Sequence, residues 1–278
     1  MEPVIKIAQL NATALKDNVK AMEFAQKARQ LAPANPRVGG LVGHIALQTG
    51  NFSWAYSLLQ ESSRALPNDP GIAHDLAWAA YSLGRVDEAR SAMQRVADSS
   101  DASLAQPVRT FLALTDLDSV ETDSTVSENI VNSALQADPN YTPAMMARAT
   151  MQIQRGDSRA ALVIYSGILQ RMTDFAPAQK RLAALYVNDP ATLEKAGELA
   201  SKASRTLDVD PEIGVTLGAV SYSKKEYARA AQISAGVRQE KAAGCGLTLP
   251  IGNVATSAWA KSRCCPDAYT CDQRWAAR

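Results

Sequence analysis

The sequence predicts an all-α fold, a solenoid built from antiparallel pairs of short helices. Three observations lead to this prediction. A pattern of small residues recurs about every 34 residues along most of the chain. The 278 residues are 46% hydrophobic but only 6% aromatic, with alanine prominent, and alanine is the best helix former. Glycine and proline fall between the recurring segments, where helices would end.

The repeat begins with a small residue that is followed by small or apolar residues four and seven positions later. This spacing puts the three residues on one face of a helix, because 3.6 residues make a turn. Ala21, Ala25 and Ala28 form one such stripe, and their small side chains allow a neighbouring helix to approach closely. The opening residues are Ala21, Ala55, Ala89, Ser127, Ala161, Ala196 and Ala230, separated by 34, 34, 38, 34, 35 and 34 residues.

Glycine and proline indicate the turns of each unit. A glycine five residues before an opening residue supplies the left-handed backbone that caps a helix. A proline twelve residues after an opening residue suits a position where the helix has ended, because proline cannot continue it. These residues are Gly50, Gly84 and Gly156, and Pro33, Pro67 and Pro139. Each unit is therefore predicted to be helix, short turn, helix, with a second turn into the next unit.

The units differ in how well they fit the pattern. The first has a clear second helix, 20–31, and a weak first helix around 5–14. The 38-residue interval contains an irregular unit whose first helix, 104–117, ends in the acidic and polar stretch 116–127. The 35-residue interval accommodates one extra residue in a turn where Pro190 can replace glycine as the helix stop. We predict one array over residues 1–235 with a looser joint near 118–126; two sub-arrays are the alternative.

These residues resemble the tetratricopeptide repeat (TPR) family. The family's repeat has a Leu-Gly pair, a turn glycine, an aromatic residue, an alanine and a terminal proline in this order. One unit matches that order with Val42-Gly43, Gly50, Phe52, Ala55, Leu59 and Pro67. It is matched again by Leu76-Ala77, Gly84, Val86, Ala89 and Met93, by Gly156, Ala161 and Tyr165, and by Leu217-Gly218, Tyr227 and Ala230, with Lys225 in place of the glycine. The resemblance covers about residues 3–240, six repeats and a partial one, and implies a right-handed superhelix.

Charge and hydropathy exclude several classes of partner. With 29 basic and 28 acidic residues, the net charge of +1 predicts no nucleic acid ligand. The longest apolar run, 160–169, is too short to span a membrane. The N-terminus lacks the basic start and apolar core of a signal peptide. Because the first unit fits its consensus poorly, we expect a segment of a longer chain; the compartment stays open, with a bacterial cytoplasm or periplasm expected from the style of the repeats.

The C-terminal stretch 236–278 departs from the repeat and is predicted to be an irregular tail. It contains every cysteine and two of the four tryptophans: Cys245, Cys264, Cys265, Cys271, Trp259 and Trp275. Three interpretations compete. The first is a metal site, but the cysteine spacing lacks the paired knuckles of zinc sites. The second is disulfide bonding, which needs an oxidising compartment, and adjacent cysteines such as Cys264 and Cys265 rarely bond each other. A tail that does not continue the native sequence, such as a shifted reading frame or a cloning remnant, is the interpretation we favour.

No set of catalytic residues is visible in the sequence. There are two histidines, and no phosphate-binding glycine loop, nucleophile elbow or His-Glu-x-x-His pattern. The acidic residues within 116–123 lack the central glycine and terminal glutamate of a calcium loop. We therefore predict that the chain is not an enzyme and needs no cofactor or metal.

The predicted function is to bind another protein. In TPR proteins the first helix of each repeat lines the concave groove, so the resemblance implies which positions face a ligand. These peptide-binding candidates are His44, His74, Trp78, Tyr81, Met146, Ile153, Lys180, Asn188 and Tyr222. Two alternatives stay open: Trp78 or Tyr81 packs into the core, and the two histidines are hydrogen-bonded polar residues and not a pH-sensitive or metal-binding pair.

A protein–protein interaction scaffold that holds a peptide segment or helix in the groove is the preferred function. Only Lys180, Arg181 and Asn188 approach the family's carboxylate clamp, so an apolar or mixed segment is the better expectation. The alternative is an accessory domain of a larger enzyme whose catalytic module lies elsewhere. Self-association through uncapped ends of the array is a third possibility.

Overall fold

The computed structural model describes residues 2–14, 17–97, 105–117, 124–207 and 210–244, and these form helices and turns without strands. The helices are α1 (Glu2–Thr13), α2 (Asn18–Leu31), α3 (Pro36–Gln48), α4 (Phe52–Ala65), α5 (Pro70–Ser82), α6 (Val86–Ala97), α7 (Ala105–Leu117), α8 (Ser124–Ala137), α9 (Thr142–Gln154), α10 (Ser158–Arg171), α11 (Ala176–Tyr186), α12 (Leu193–Ala203), α13 (Pro211–Ser223) and α14 (Tyr227–Gly244). None of them is long and apolar enough to cross a lipid bilayer.

Consecutive helices pack as pairs, which we number from pair 1 (α1 with α2) to pair 7 (α13 with α14). Each second helix also contacts the first helix of the next pair, as α4 contacts α5 and α12 contacts α13. The predicted fold class, an all-α TPR-like solenoid of antiparallel helix pairs, is confirmed.

The small residues that open the pattern lie at the buried side of the second helices. Five of the seven have no exposed surface, and the other two expose 5% and 6% of theirs. The fully buried ones are Ala21, Ala55, Ala89, Ala161 and Ala196, and the remaining two are Ser127 and Ala230. The spacing therefore identified the helix faces that contact each other within the array.

The turns within a pair have the left-handed backbone expected of them. Gly50, Gly84 and Gly156 have φ values of 81°, 77° and 84°. Lys225, which stands where the turn glycine is usual, has a φ of 65° and is the non-glycine residue with positive φ in the described chain. The same turn thus forms with and without glycine.

The first helices have start signals that the sequence reasoning missed. Asn35, Asp69 and Asp210 precede a proline, and their side-chain oxygens accept hydrogen bonds from backbone N–H groups of the first turn. The proline fits there because the first turn has no intrahelical acceptor for its missing N–H. An Asn-Pro or Asp-Pro pair could have located the beginning of three of the first helices.

Two predicted irregular stretches are partly helical. Residues 124–127 of the acidic stretch belong to α8, whereas 118–123 lie outside the described residues. Helix α14 continues to Gly244, nine residues into the predicted tail, because 239–243 consist of good helix formers. The chain divides into a compact unit of residues 1–237 and a second of 238–278. The tail cysteines and tryptophans lie outside the described residues.

Candidate binding surface

A polar network links the first helices of pairs 2 and 3. Asp75, on α5, lies between two imidazoles: its Oδ2 is 2.8 Å from Nδ1 of His44, on α3, and its Oδ1 is 3.4 Å from Nδ1 of His74. Nε2 of Gln48 lies 2.9 Å from Nε2 of His44. The indole Nε1 of Trp78 donates to Nε2 of His74 at 3.2 Å. The two predicted histidines are thus joined through a carboxylate that the prediction did not include.

The network favours the charged forms of His44 and Asp75. The hydrogen bond to Asp75 raises the pKa of His44 above its usual 6.5, although burial opposes the shift. Burial alone would raise the pKa of Asp75, but the hydrogen bonds from His44 and His74 outweigh it and the pKa is lowered. Since Trp78 donates to Nε2 of His74, the proton of a neutral His74 resides on Nδ1 and points towards Asp75.

An aromatic cluster continues from this network into the interior of the array. The ring of Trp78 packs against Tyr81, Phe111 and Tyr141 at centroid distances of 6.2, 5.5 and 5.8 Å. Tyr81 also packs against Phe111 at 5.4 Å and against Phe175 at 5.5 Å. Burial raises the pKa of the Tyr141 hydroxyl well above its ordinary value. The five rings come from pairs 3 to 6 and fill the space between their first helices.

Two predicted ligand-contacting residues are therefore core residues. Tyr81 exposes 2% of its surface and Met146 exposes 1%. Both side chains belong to one core cluster with Phe111 and Phe175, and Met146 also lines a cavity of about 420 Å³. Trp78 is partly buried, so both alternatives stated for it hold in part: it packs on the core and keeps an accessible portion.

The remaining predicted residues lie at the surface. Ile153 and Tyr222 expose 37% and 52% of their side chains, and Asn188 is also exposed. Tyr222 packs edge-on against Tyr227 at a centroid distance of 5.4 Å. The accessible residues thus form two groups, which lie on the first helices except for Asn188, in the turn after α11. The front group is His44, Gln48, His74 and Trp78, and the rear group is Ile153, Asn188 and Tyr222.

The two cations that come nearest to the family's carboxylate clamp, Lys180 and Arg181, are neutralised by carboxylates of the next pair. Nζ of Lys180 lies 2.9 Å from Asp210 and 3.3 Å from Glu212. Nη1 of Arg181 donates to Glu212 at 2.9 Å. A cavity of about 420 Å³ lies beside them, and its third cation, Arg90, pairs with Asp116. A ligand carboxylate would have to displace these intramolecular partners.

Sequence reasoning missed Asp75, Phe111, Tyr141 and Phe175. Asp75 lies 31 residues after His44 and next to His74, close to the repeat length, and this spacing could have placed it opposite His44. The three rings lie in units that the consensus fits less well, and no signal in the sequence brings them together. Within the described residues, no group of three or more His, Cys, Asp and Glu side chains could hold a metal ion.

A model of the tetratricopeptide repeat matches residues 46–108. No curated protein matches the chain significantly. A tetratricopeptide repeat protein from Parabacteroides merdae is 16% identical; the alignment covers 86% of this chain and 92% of that one, with a TM-score of 0.39. A TPR protein from Thermus thermophilus is 16% identical, with 80% and 98% covered and a TM-score of 0.29. Yeast Tom70 is 11% identical, with 81% and 55% covered and a TM-score of 0.40.

The fold and its stacked helix pairs define a helical-repeat solenoid. The resemblance predicted from the sequence is confirmed by the family match, which covers residues 46–108. Folds of this class generally mediate protein–protein interaction, and the family is typically a scaffold without catalytic activity.

Proposed function

We propose that this chain is a protein–protein interaction scaffold that holds a peptide segment or a helix of its partner against the first helices. The observation that carries the proposal is the front group of residues, His44, Gln48, His74 and Trp78. They are linked to one another through Asp75, so their side chains are held in place before a ligand arrives. A preorganised surface loses less conformational entropy on binding.

The chemistry of the front group fits a segment of mixed polarity. Both ring nitrogens of each imidazole are engaged within the network, so the Gln48 amide, with its free oxygen and second N–H, offers the hydrogen bonds to a peptide backbone. The accessible part of Trp78 offers an apolar contact. Aromatic residues in partly enclosed positions are frequent anchors of protein interfaces. A purely acidic ligand is less suited, because Lys180 and Arg181 are already paired.

The aromatic cluster divides the ligand surface in this proposal. Tyr81 and Met146, which lie between the two groups in sequence, are buried and offer a bound segment almost no accessible surface. The front group therefore forms one binding surface, and the rear group of Ile153, Asn188 and Tyr222 forms another. A partner can use either surface alone, or both through two separate segments.

Self-association is a second candidate that a separate observation favours. Helix pair 1 has large apolar side chains at its surface: Leu10 exposes 54%, Val19 80% and Leu31 63%. Large exposed apolar side chains on one helix pair favour contact with another protein surface. Sedimentation of the intact chain against a Leu10→Glu, Leu31→Glu variant tests this. A mass that falls to that of the monomer in the variant supports it, and a monomeric parent contradicts it.

Site-specific photo-crosslinking in the source organism tests the scaffold proposal. A photoreactive amino acid replaces Gln48 or Tyr222 on first helices, and Gln170 on α10 serves as the control because it is an exposed residue on a second helix. A discrete partner crosslinked from position 48 or 222 and not from 170 supports the proposal. Crosslinks from position 170 alone would move the interaction to the opposite side of the array.

A further inference from the structure

A second cavity lies between two second helices, on the other side of the array from the front group. Helices α4 and α6 form its walls, Leu76 and Ala80 of α5 form its floor, and its volume is about 520 Å³. On α6 the residues Asp87, Ser91 and Arg95 follow one another at intervals of four, so they share the helix face towards the cavity. We call this cavity the α4–α6 cleft.

One end of the cleft is basic, and its charges have no ion-pair partner among the residues that the structure describes. Arg64 is in the last turn of α4 and Arg95 in the last turn of α6. Arg64 donates to Oε1 of Gln60 at 3.2 Å, and Arg95 donates to the hydroxyl of buried Ser63 at 3.3 Å. Across the described part of the chain, neither guanidinium has a carboxylate within ion-pair distance. Both retain donors that can bind an anionic oxygen.

The other end of the cleft is acidic. Glu88 pairs with Arg85 and accepts from the hydroxyl of Tyr56. The guanidinium of Arg85 lies over the Tyr56 ring at 4.7 Å. Asp87, exposed beside them, has no ion-pair partner among the described residues. The cleft therefore has one negative and one positive end, each with charge that none of the described residues neutralises.

The distance between the two ends sets the length of a matching ligand. Asp87 and Arg95 are eight residues apart on α6, which at 1.5 Å per residue is about 12 Å. An extended peptide advances about 3.3 Å per residue, so about four residues span this distance. Polyanions such as nucleic acids do not fit, because Asp87 and Glu88 would repel them.

The first cavity lacks this property. Its cations Arg90, Lys180 and Arg181 are all bonded to carboxylates of this chain. A ligand there would gain little from charge unless it displaced those partners. Asp87 lines both cavities, but of the two the α4–α6 cleft alone combines it with guanidinium groups that have no carboxylate partner among the described residues.

We propose that the α4–α6 cleft binds a protein segment that carries an acidic and a basic residue about four positions apart in an extended chain. The acidic side chain contacts Arg64 and Arg95, the basic one contacts Asp87, and the intervening residues lie over Leu76 and Ala80. This surface does not depend on the front group, so either interaction can exist without the other.

Selection from a displayed library of random nonapeptides, with the intact chain as bait, tests the proposal. The recovered peptides are expected to carry an acidic and a basic residue three to five positions apart. An Arg64→Gln, Arg95→Gln variant is expected to weaken their binding by at least tenfold. Asp87→Asn is expected to remove the preference for the basic residue and keep that for the acidic one.

Lys202→Gln is the matched control, because Lys202 is an exposed basic residue in the last turn of α12. The control is expected to bind the peptides like the parent chain. Circular dichroism and thermal unfolding check that the four substitutions leave the fold intact. Peptides without the paired charges, or peptides that bind the double arginine variant as well as the parent, would overturn the proposal. Inorganic phosphate is tested as a competitor of the peptides. If it occupied the basic end at lower concentrations than the peptides do, the basic end would be reassigned to a phosphoryl group, and the proposal would also be overturned.

Discussion

Leu207 lies directly against Gly84, although the two residues belong to helix pairs 6 and 3. A Cβ atom added at Gly84 would be 2.2 Å from Cδ2 of Leu207. The contact between Tyr81 and Phe175 joins the same two pairs at 5.5 Å. In a simple repeat array each unit contacts only its neighbours. Here the irregular pair 4 and the interior aromatic rings bring more distant pairs together, and this contact couples their stabilities.

The contact predicts that Gly84→Ala is more destabilising than Gly50→Ala. Both residues have positive φ, which costs a non-glycine residue about 1–2 kcal/mol. Around Gly50 no heavy atom would lie within 4 Å of an added Cβ, whereas at Gly84 the added atom must displace Leu207. Overpacking of this kind costs about 1–3 kcal/mol more. Urea unfolding of the two variants measures the difference.

A double variant separates the two effects at position 84. In a Leu207→Ala background the added methyl group no longer meets a side chain. Gly84→Ala is then expected to lower the free energy of unfolding about as much as Gly50→Ala does. Equal costs of the two glycine substitutions in the parent background would show that Leu207 moves aside freely.

Lys225→Gly is predicted to stabilise the last helix pair by about 1 kcal/mol. Lys225 holds the left-handed conformation at a φ of 65°, and glycine adopts it without a steric penalty. The adjacent Lys224 has a φ of −78°, so Lys224→Gly is expected to bring no gain and to cost a few tenths of a kcal/mol through the unfolded state. Hydrogen exchange of the α13 amides measures both changes. Protection that rises in both variants, or in neither, contradicts the assignment of strain to Lys225.

Much of this fold was predictable from spacing, because each repeat forms from local signals. The opening residues Ala21 to Ala230 predicted the buried faces of the second helices, and Gly50, Gly84 and Gly156 predicted the turns. The first helices were less certain, since the consensus at α1 is weak. The Asn-Pro and Asp-Pro pairs that begin α3, α5 and α13 would have fixed three of them.

The binding surface was less predictable, because it depends on contacts between distant pairs. The family register places Tyr81 and Met146 towards the ligand, but Phe111 and Phe175 cover that region of the interior. Their positions follow from the path of the irregular pair 4, which no local periodicity encodes. The linkage of His44 and His74 through Asp75 was within reach, since it follows the repeat length.

Tyr81→Ala is predicted to destabilise the protein far more than Tyr222→Ala. Tyr81 is buried and packs against three other rings, and removal of a large buried side chain leaves a cavity that costs about 3–5 kcal/mol. Tyr222 is 52% exposed and contacts one neighbouring ring, so its loss is expected to cost about 0.5 kcal/mol or less. Urea unfolding gives both values. A small cost at Tyr81 would mean that the interior cluster does not form.

The final prediction concerns the pH dependence of the front group. The pKa of His44 is raised because its ring donates to Asp75, so the folded state binds the proton more tightly than the unfolded state. A raised pKa contributes stability that is fully present below the unfolded value near 6.5 and is lost as the pH rises through the folded value. The free-energy advantage of the parent over His44→Gln is therefore expected to be larger at pH 5.5 than at pH 8.5.

The cause of the shift can be checked apart from its effect on stability. An NMR titration of the His44 ring is expected to give a pKa above 6.5 in the parent chain. In Asp75→Asn the carboxylate is replaced by an amide, so the pKa of His44 is expected to fall, because the partner that stabilises the imidazolium is gone and burial then disfavours the charge. An unchanged pKa in Asp75→Asn would mean that Asp75 does not hold the His44 ring, and the preorganisation of the front group would lose its physical basis.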